Sequence, residues 1–105
     1  MPALKQLCGV ALAATTLTSV YTAPSACAVS TIVVCNRDAA STTFRLAHAV
    51  AGAASAPGQY FVYDALLAGN STVPLTLGVC MAAGDVLRAW AGSANVTVLA
   101  WGEEQ

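Results

Sequence analysis

Apolar and polar residues alternate along most of the chain in short runs, and turn-forming residues separate the runs at roughly 8–12-residue intervals, as in all-β domains. The clearest alternation runs from Ser71 to Val79, where Pro74 on the outer face indicates an edge strand or a bulge. The β-branched run from Ala28 to Asn36 is typical of a strand buried on both faces. We predict seven strands, at 16–22, 28–36, 42–50, 59–67, 71–79, 85–91 and 95–101.

This pattern predicts an antiparallel β-sandwich of jelly-roll or immunoglobulin-like type, because short loops join the strands. The chain of 105 residues has room for one such domain, which we assign to residues 16–105. Residues 1–15 have no partner pattern of their own, and we predict an extended N-terminal arm there that pairs with another subunit. Between Ala47 and Ala56 a helical turn competes with a loop, and Gly52 and Pro57 favour the loop.

The composition predicts association with other subunits. Hydrophobic types make up 57% of the residues and charged types only 9%, whereas a soluble domain carries about 25% charged residues. Nine charged side chains leave a large uncharged surface, which neighbouring subunits would cover. We therefore expect a homo-oligomer, a trimer or a hexamer. The alternative is a monomer with a surface of Ser, Thr, Ala and Gly.

The charges and cysteines exclude several classes. The basic residues are scattered, which argues against nucleic-acid binding: Lys5, Arg37, Arg45 and Arg88. No uninterrupted apolar stretch approaches the roughly 18–20 residues of a membrane span. We expect the cysteines to be reduced thiols rather than disulfides: Cys8, Cys27, Cys35 and Cys80. Without a C-x-x-C pair and with a single histidine, zinc spacing is missing, and no metal or other cofactor is predicted.

The first thirty residues imitate a secretory signal, with Lys5 before an apolar run and small residues around Ala26. Interrupting threonines and the single basic residue weaken this interpretation, so we expect the segment to remain in the protein. Asn70 and Asn95 each begin a glycosylation triplet, which has meaning only in a secreted protein.

No catalytic constellation is recognisable, and we predict a protein that is not an enzyme. His48 lies on an alternating strand, where a hydrogen-bonded structural histidine is more common than a catalytic base. No serine lies in a G-x-S-x-G elbow. Asp38 and Asp85 lie in turns, where aspartate bonds nearby backbone amides. Asp64 lies within a strand, and we expect it to pair with Arg45 or Arg88, because an unpaired buried charge is costly. The alternative is an outward-facing aspartate on an edge strand.

The segment Tyr60-Phe61-Val62-Tyr63 carries aromatic side chains on both faces of one strand. We expect Tyr60, Val62 and Leu66 on one face and Phe61 and Tyr63 on the other. The side chains on one face can pack in the core. Those on the other face would then bind a protein partner or, alternatively, a sugar. The predicted interface residues are Leu7, Val10, Leu12, Phe61, Tyr63 and Trp101.

Seven stretches of strand and turn carry a resemblance to known proteins: residues 19–24, 29–37, 42–45, 60–64, 75–78, 82–86 and 94–96. Over residues 16–105 the chain resembles small virion proteins of tailed bacteriophages. It departs from them in its longer alanine-rich start and in Cys8, Cys27 and Cys80. The resemblance implies synthesis in the cytoplasm of a host bacterium, location in the virion, many copies per particle and no cofactor.

From this resemblance we expect a capsid decoration, or cement, protein that bridges major capsid protein subunits. A tail, neck or fibre-attachment protein is the alternative within the same class. A secreted carbohydrate-binding or adhesive module is the alternative from a different class.

Overall fold

The structure is a computed structural model that describes residues 3–76 and 78–104, with side chains from residue 5 onward. Its strands, in chain order, are β1 (Ala3–Ala11), β2 (Thr18–Thr22), β3 (Cys27–Asn36), β4 (Thr42–Ala49), β5 (Tyr60–Leu67), β6 (Thr72–Leu75), β7 (Val79–Met81), β8 (Val86–Ala91) and β9 (Val96–Glu104). Two 3₁₀ turns, Val50–Gly52 and Pro57–Gln59, lie between β4 and β5. In these described ranges no helix has the length and apolar character to cross a membrane.

The strands form two antiparallel sheets. The larger sheet has the order β1-β9-β3-β6, and β7 also pairs with β3. The smaller sheet has the order β2-β8-β4-β5. Buried side chains from both sheets belong to a single core cluster, so the described strands make a two-layer β-sandwich. The predicted all-β antiparallel class is confirmed.

Strand β3 shows how the sequence pattern is used. Cys27 and Val29 face the core, then Ile32 and Val34, and a register shift with β9 between Val29 and Thr31 changes the phase. The bulge keeps the apolar side chains inward on both sides of the shift. The prediction that this strand is buried on both faces was wrong, because its other face is partly exposed.

Two strand predictions need correction. In place of the predicted strand 71–79, the structure has the two strands β6 and β7, which pair with different parts of β3. Leu77, between them, lies outside the described residues. Within the predicted arm, Ala3–Ala11 is a strand of the larger sheet and pairs with β9 of the same chain. An arm that reaches another subunit is therefore not confirmed for these residues. The structure has nine strands in the described ranges, instead of the predicted seven.

Residues 47–49 belong to β4, residues 50–52 form a 3₁₀ turn, and only residues 53–56 form the predicted loop, which covers part of the outer face of the smaller sheet. Arg88 Nη1 in β8 donates a hydrogen bond to the carbonyl of Ala53 at 2.9 Å. Ala47 and Ala49 of β4, which leads into this loop, are buried. The loop therefore fixes the position of the residues that lead into β5.

Candidate interaction surface

Most of the large apolar side chains that the described residues expose lie on or beside β5, the terminal strand of the smaller sheet. Four belong to this region: Val50 (64% exposed), Phe61 (38%), Tyr63 (61%) and Leu66 (71%). The fifth, Trp101 (37%), lies in β9 of the other sheet. We call Val50, Tyr60, Phe61, Tyr63 and Leu66 the β5 surface.

The pairing of β5 with β4 explains why these side chains face outward. Eight residues of β5 lie opposite the six residues 42–47, with register shifts on both sides of Leu46. Asp64 has a φ of 53°, a left-handed conformation that aspartate tolerates better than most residues. After this bulge the phase changes, so Leu67 is buried and Leu66 is exposed. The expected face with Tyr60, Val62 and Leu66 together was wrong.

Arg45 of β4 lies at the centre of a polar and aromatic cluster on the outer face. Its Nε donates to Asp64 Oδ1 at 2.6 Å, and its Nη2 donates to Asp64 Oδ2 at 3.3 Å. Its guanidinium carbon lies 4.3 Å from the ring centroid of Tyr63 and 4.1 Å from that of Trp90. The Asp64 carboxylate raises the pKa of Arg45 by accepting this hydrogen bond. Two stacked rings and a bidentate partner hold the guanidinium in one orientation.

Of the two cations expected near Asp64, the structure brings Arg45 to it and places Arg88 elsewhere. Arg88 donates to the carbonyls of Ala53 and Gly52 and so supports the loop before β5. The Asp64 side chain is 42% exposed and that of Arg45 is 23% exposed. The pair is therefore only partly desolvated, and its contribution to stability is modest.

Two depressions adjoin the start of β5. One, of about 380 Å³, is lined by Pro57, Tyr60 and Tyr63. The rings of Tyr60 and Tyr63 meet edge to face, with centroids 5.1 Å apart. The other, of about 520 Å³, is lined by His48, Val50, Gly58, Gln59, Tyr60, Phe61 and Val79. Gln59 Oε1 is buried and has no hydrogen-bond partner in the described structure. An acceptor without a partner beside an apolar depression is a point where a bound group could donate.

The side chain of His48 contacts Asp85 and has a structural role. Its Nε2 lies 2.8 Å from Asp85 Oδ2, and the same carboxylate accepts hydrogen bonds from the amides of Ala51 and Ala82. These three contacts, the Ala51 amide first, lower the pKa of Asp85 to about 2. Asp85 thus ties the loop after β4 to the turn before β8.

The remaining predicted interface residues differ in their surroundings. Leu7 and Val10 of β1 are partly buried against the core. Leu12 is only 2% exposed and belongs to the core cluster, so its assignment to an interface was wrong. Its backbone amide donates to the carbonyl of Val96, which draws the residue inward. Trp101 is exposed on the larger sheet, as described above.

The described residues contain no group of three or more His, Cys, Asp or Glu side chains that could hold a metal ion. The class that fold and surface define is a two-sheet β domain with an apolar terminal strand. In comparisons with known proteins, no family model, no curated protein and no solved structure matches the chain. Its function must be inferred from the surface itself.

Proposed function

We propose that this protein is a non-enzymatic structural subunit of a tailed-bacteriophage particle, whose sandwich is of jelly-roll or immunoglobulin-like type. Its leading role is capsid decoration: it binds neighbouring subunits of the major capsid protein and cements them. The observation that carries the proposal is the placement of the exposed apolar side chains at two separate sites. The β5 surface lies at the edge of one sheet, and Trp101 lies on the other sheet.

A protein that bridges two neighbours needs two contact surfaces, and few charges favour contacts that exclude water. Burial of apolar area contributes about 25 cal/mol per Å². A contact of about 800 Å² per partner is slightly more than half apolar, so the two sides together bury roughly 900 Å² of apolar area. This burial contributes roughly 20 kcal/mol before the cost of association is subtracted. Repeated over a shell, even a small net contribution per contact stabilises the capsid against internal pressure.

Quantitative mass spectrometry of particles from cells that carry the gene tests the role. Copies in proportion to the major capsid protein support decoration. A small number set by a ring of subunits supports the alternative position in the tail, neck or fibre attachment. Particles that contain none of this protein refute the proposal.

Adding purified protein to particles that lack it tests the second surface. Trp101→Lys should weaken binding and the gain in heat resistance of the particles, because a lysine at the contact must be desolvated. Ala13→Lys is the matched control, since Ala13 is exposed outside both apolar sites. Equal binding by both variants would exclude Trp101 as a capsid contact.

One observation favours a function from another class, a secreted carbohydrate-binding or adhesive module. The paired rings of Tyr60 and Tyr63 line a depression beside Arg45 and Asp64, a combination of aromatic and hydrogen-bonding groups that suits a sugar ring. Glycan-array binding that Tyr63→Ala abolishes would support this module, and binding to no glycan would count against it.

A further inference from the structure

Strand β5 differs from the other terminal strands of the two sheets. β1 carries Lys5, and β2, β6 and β7 have only five, four and three residues, with Pro74 in β6. Short length, lysine and proline are features that keep sheet edges from pairing with other chains. β5 has eight residues and none of them is Lys, Arg or Pro. It pairs with β4 on one side, and no described strand covers its other side.

We infer that two copies of this chain pair antiparallel through residues 60–63 of β5 and form a two-fold symmetric dimer. The backbone amides and carbonyls on the free side of β5 supply the hydrogen bonds. Pairing ends at Tyr63 because Asp64 has a left-handed backbone conformation. The register shift against β4 between Tyr60 and Val62 bulges the strand within this segment, so the pairing is short and irregular. The two smaller sheets then become one continuous sheet. In the proposed decoration role, the dimer presents two copies of Trp101 to the two capsid neighbours.

The charge distribution favours a second copy as the occupant. In a two-fold contact each residue meets its own counterpart or its near neighbours, so a patch with net charge repels itself. The charged groups at the β5 surface are Arg45 and Asp64, which neutralise each other at 2.6 Å. The surface thus presents no net charge to an identical surface.

The tyrosines on the outer face complete the match. A two-fold axis perpendicular to the sheet keeps the outer faces of both copies on the same side, so Tyr60 and Tyr63 of one copy approach those of the other. Phe61 and Tyr63 expose roughly 200 Å² of side chain between them, taking about 200 Å² for a whole aromatic side chain. This is less than the roughly 800 Å² per partner of a standard interface, so we expect a reversible dimer.

Sedimentation equilibrium of the full chain over a wide concentration range tests the dimer. Phe61→Lys and Phe61→Glu should each weaken dimerisation at least about tenfold, because like charges then lie close to the two-fold axis. An equimolar mixture of the two variants should restore a dimer, since opposite charges now meet. Circular dichroism and thermal melting establish that each variant is folded. Trp101→Lys is the matched control and should dimerise like the unchanged chain.

Several results would overturn the inference: a monomer at all concentrations, a closed trimer, no recovery in the mixture, or a dimer that Trp101→Lys disrupts and Phe61→Lys does not. A hexamer that Phe61→Lys separates into smaller species would support it. The measurement concerns the isolated chain and is independent of the particle analysis. A dimer in a protein missing from particles would leave this inference standing while refuting the proposed function.

Discussion

Asn36, at the end of β3, is the buried polar side chain whose removal we expect to be most damaging. It is 1% exposed, and its Nδ2 donates to the carbonyls of Ala40, Leu67 and Ala68 at 2.9, 3.3 and 3.2 Å. Its Oδ1 accepts from the amide of Asp38 at 2.9 Å. One side chain therefore joins the turn after β3 to the end of β5.

Asn36→Ala should lower the free energy of unfolding by about 3 kcal/mol, because each buried group left without a partner costs about 1–3 kcal/mol. Of the three carbonyl groups, only that of Leu67 is fully buried, and the carbonyls of Ala40 and Ala68 can bind water after the substitution. The loss in stability is therefore smaller than the sum of three full penalties. For a domain of this size the melting temperature should fall by roughly 12 °C. Urea denaturation followed by tryptophan fluorescence measures the change. Ser55→Ala is the control, since Ser55 is exposed in the loop between β4 and β5, and it should change stability by less than about 0.5 kcal/mol.

Asn36→Asp separates hydrogen bonding from packing. A carboxylate cannot donate to the three carbonyls, whereas a protonated carboxyl group can donate to one of them. The folded state therefore raises the pKa of the introduced carboxyl group. The stability that the protonated group supplies is present below the unfolded pKa of about 3.9 and is lost as the pH rises from there through the higher folded pKa. At a pH of about 3, which lies below that unfolded pKa, Asn36→Asp should therefore lose less free energy of unfolding, relative to the unchanged chain, than it loses at neutral pH. An equal deficit at both pH values would refute the proposed donor role.

Three further predictions concern other contacts. The lowered pKa of Asp85 stabilises the fold above the unfolded value of 3.8, and this contribution is lost as the pH falls towards about 2; Asp85→Asn should flatten acid unfolding in that range. Gly102→Ala should lower the free energy of unfolding, followed by thermal melting, by at least about 2 kcal/mol, because a Cβ would lie 2.0 Å from the carbonyl oxygen of Ala28. Gly58→Ala is the control and should leave stability unchanged, because its Cβ would meet no atom within 4 Å. Arg45→Gln keeps a donor but loses the charge and the ring contacts; we expect a lower melting temperature with near-normal secondary structure by circular dichroism.

The strands could be predicted from the sequence because their local signals agree. In β8 and β9, turn residues and alternating apolar positions set bounds close to those observed: 85–91 was expected against Val86–Ala91, and 95–101 against Val96–Glu104. The pairing of β1 with β9 could not be predicted, since the two strands are at opposite ends of the chain and the apolar pattern does not name partners.

The faces of β5 could not be predicted for a different reason. An alternating pattern assigns side chains to the two faces of a sheet only while each residue lies opposite one residue of the neighbouring strand. A bulge moves every side chain after it to the other face. Asp64 bonds to Arg45, and Arg45 in turn contacts the rings of Tyr63 and Trp90. This cluster forms only after β4, β5 and β8 have paired. An aspartate inside an apolar strand was nevertheless a usable signal, because it indicated a local partner.

The same bulge bears on how a chain with so few charges avoids uncontrolled polymerisation. A straight, unprotected edge of eight residues could pair with any exposed strand. Two register shifts against β4, between Tyr60 and Val62 and between Val62 and Ala65, keep pairing along this edge short. The edge strands elsewhere are short or carry Lys5 or Pro74. An isologous contact uses both free β5 edges at once, so association through this edge stops at two copies. Further growth then requires a different surface, and Trp101 on the opposite sheet is the exposed large apolar side chain that remains for it among the described residues.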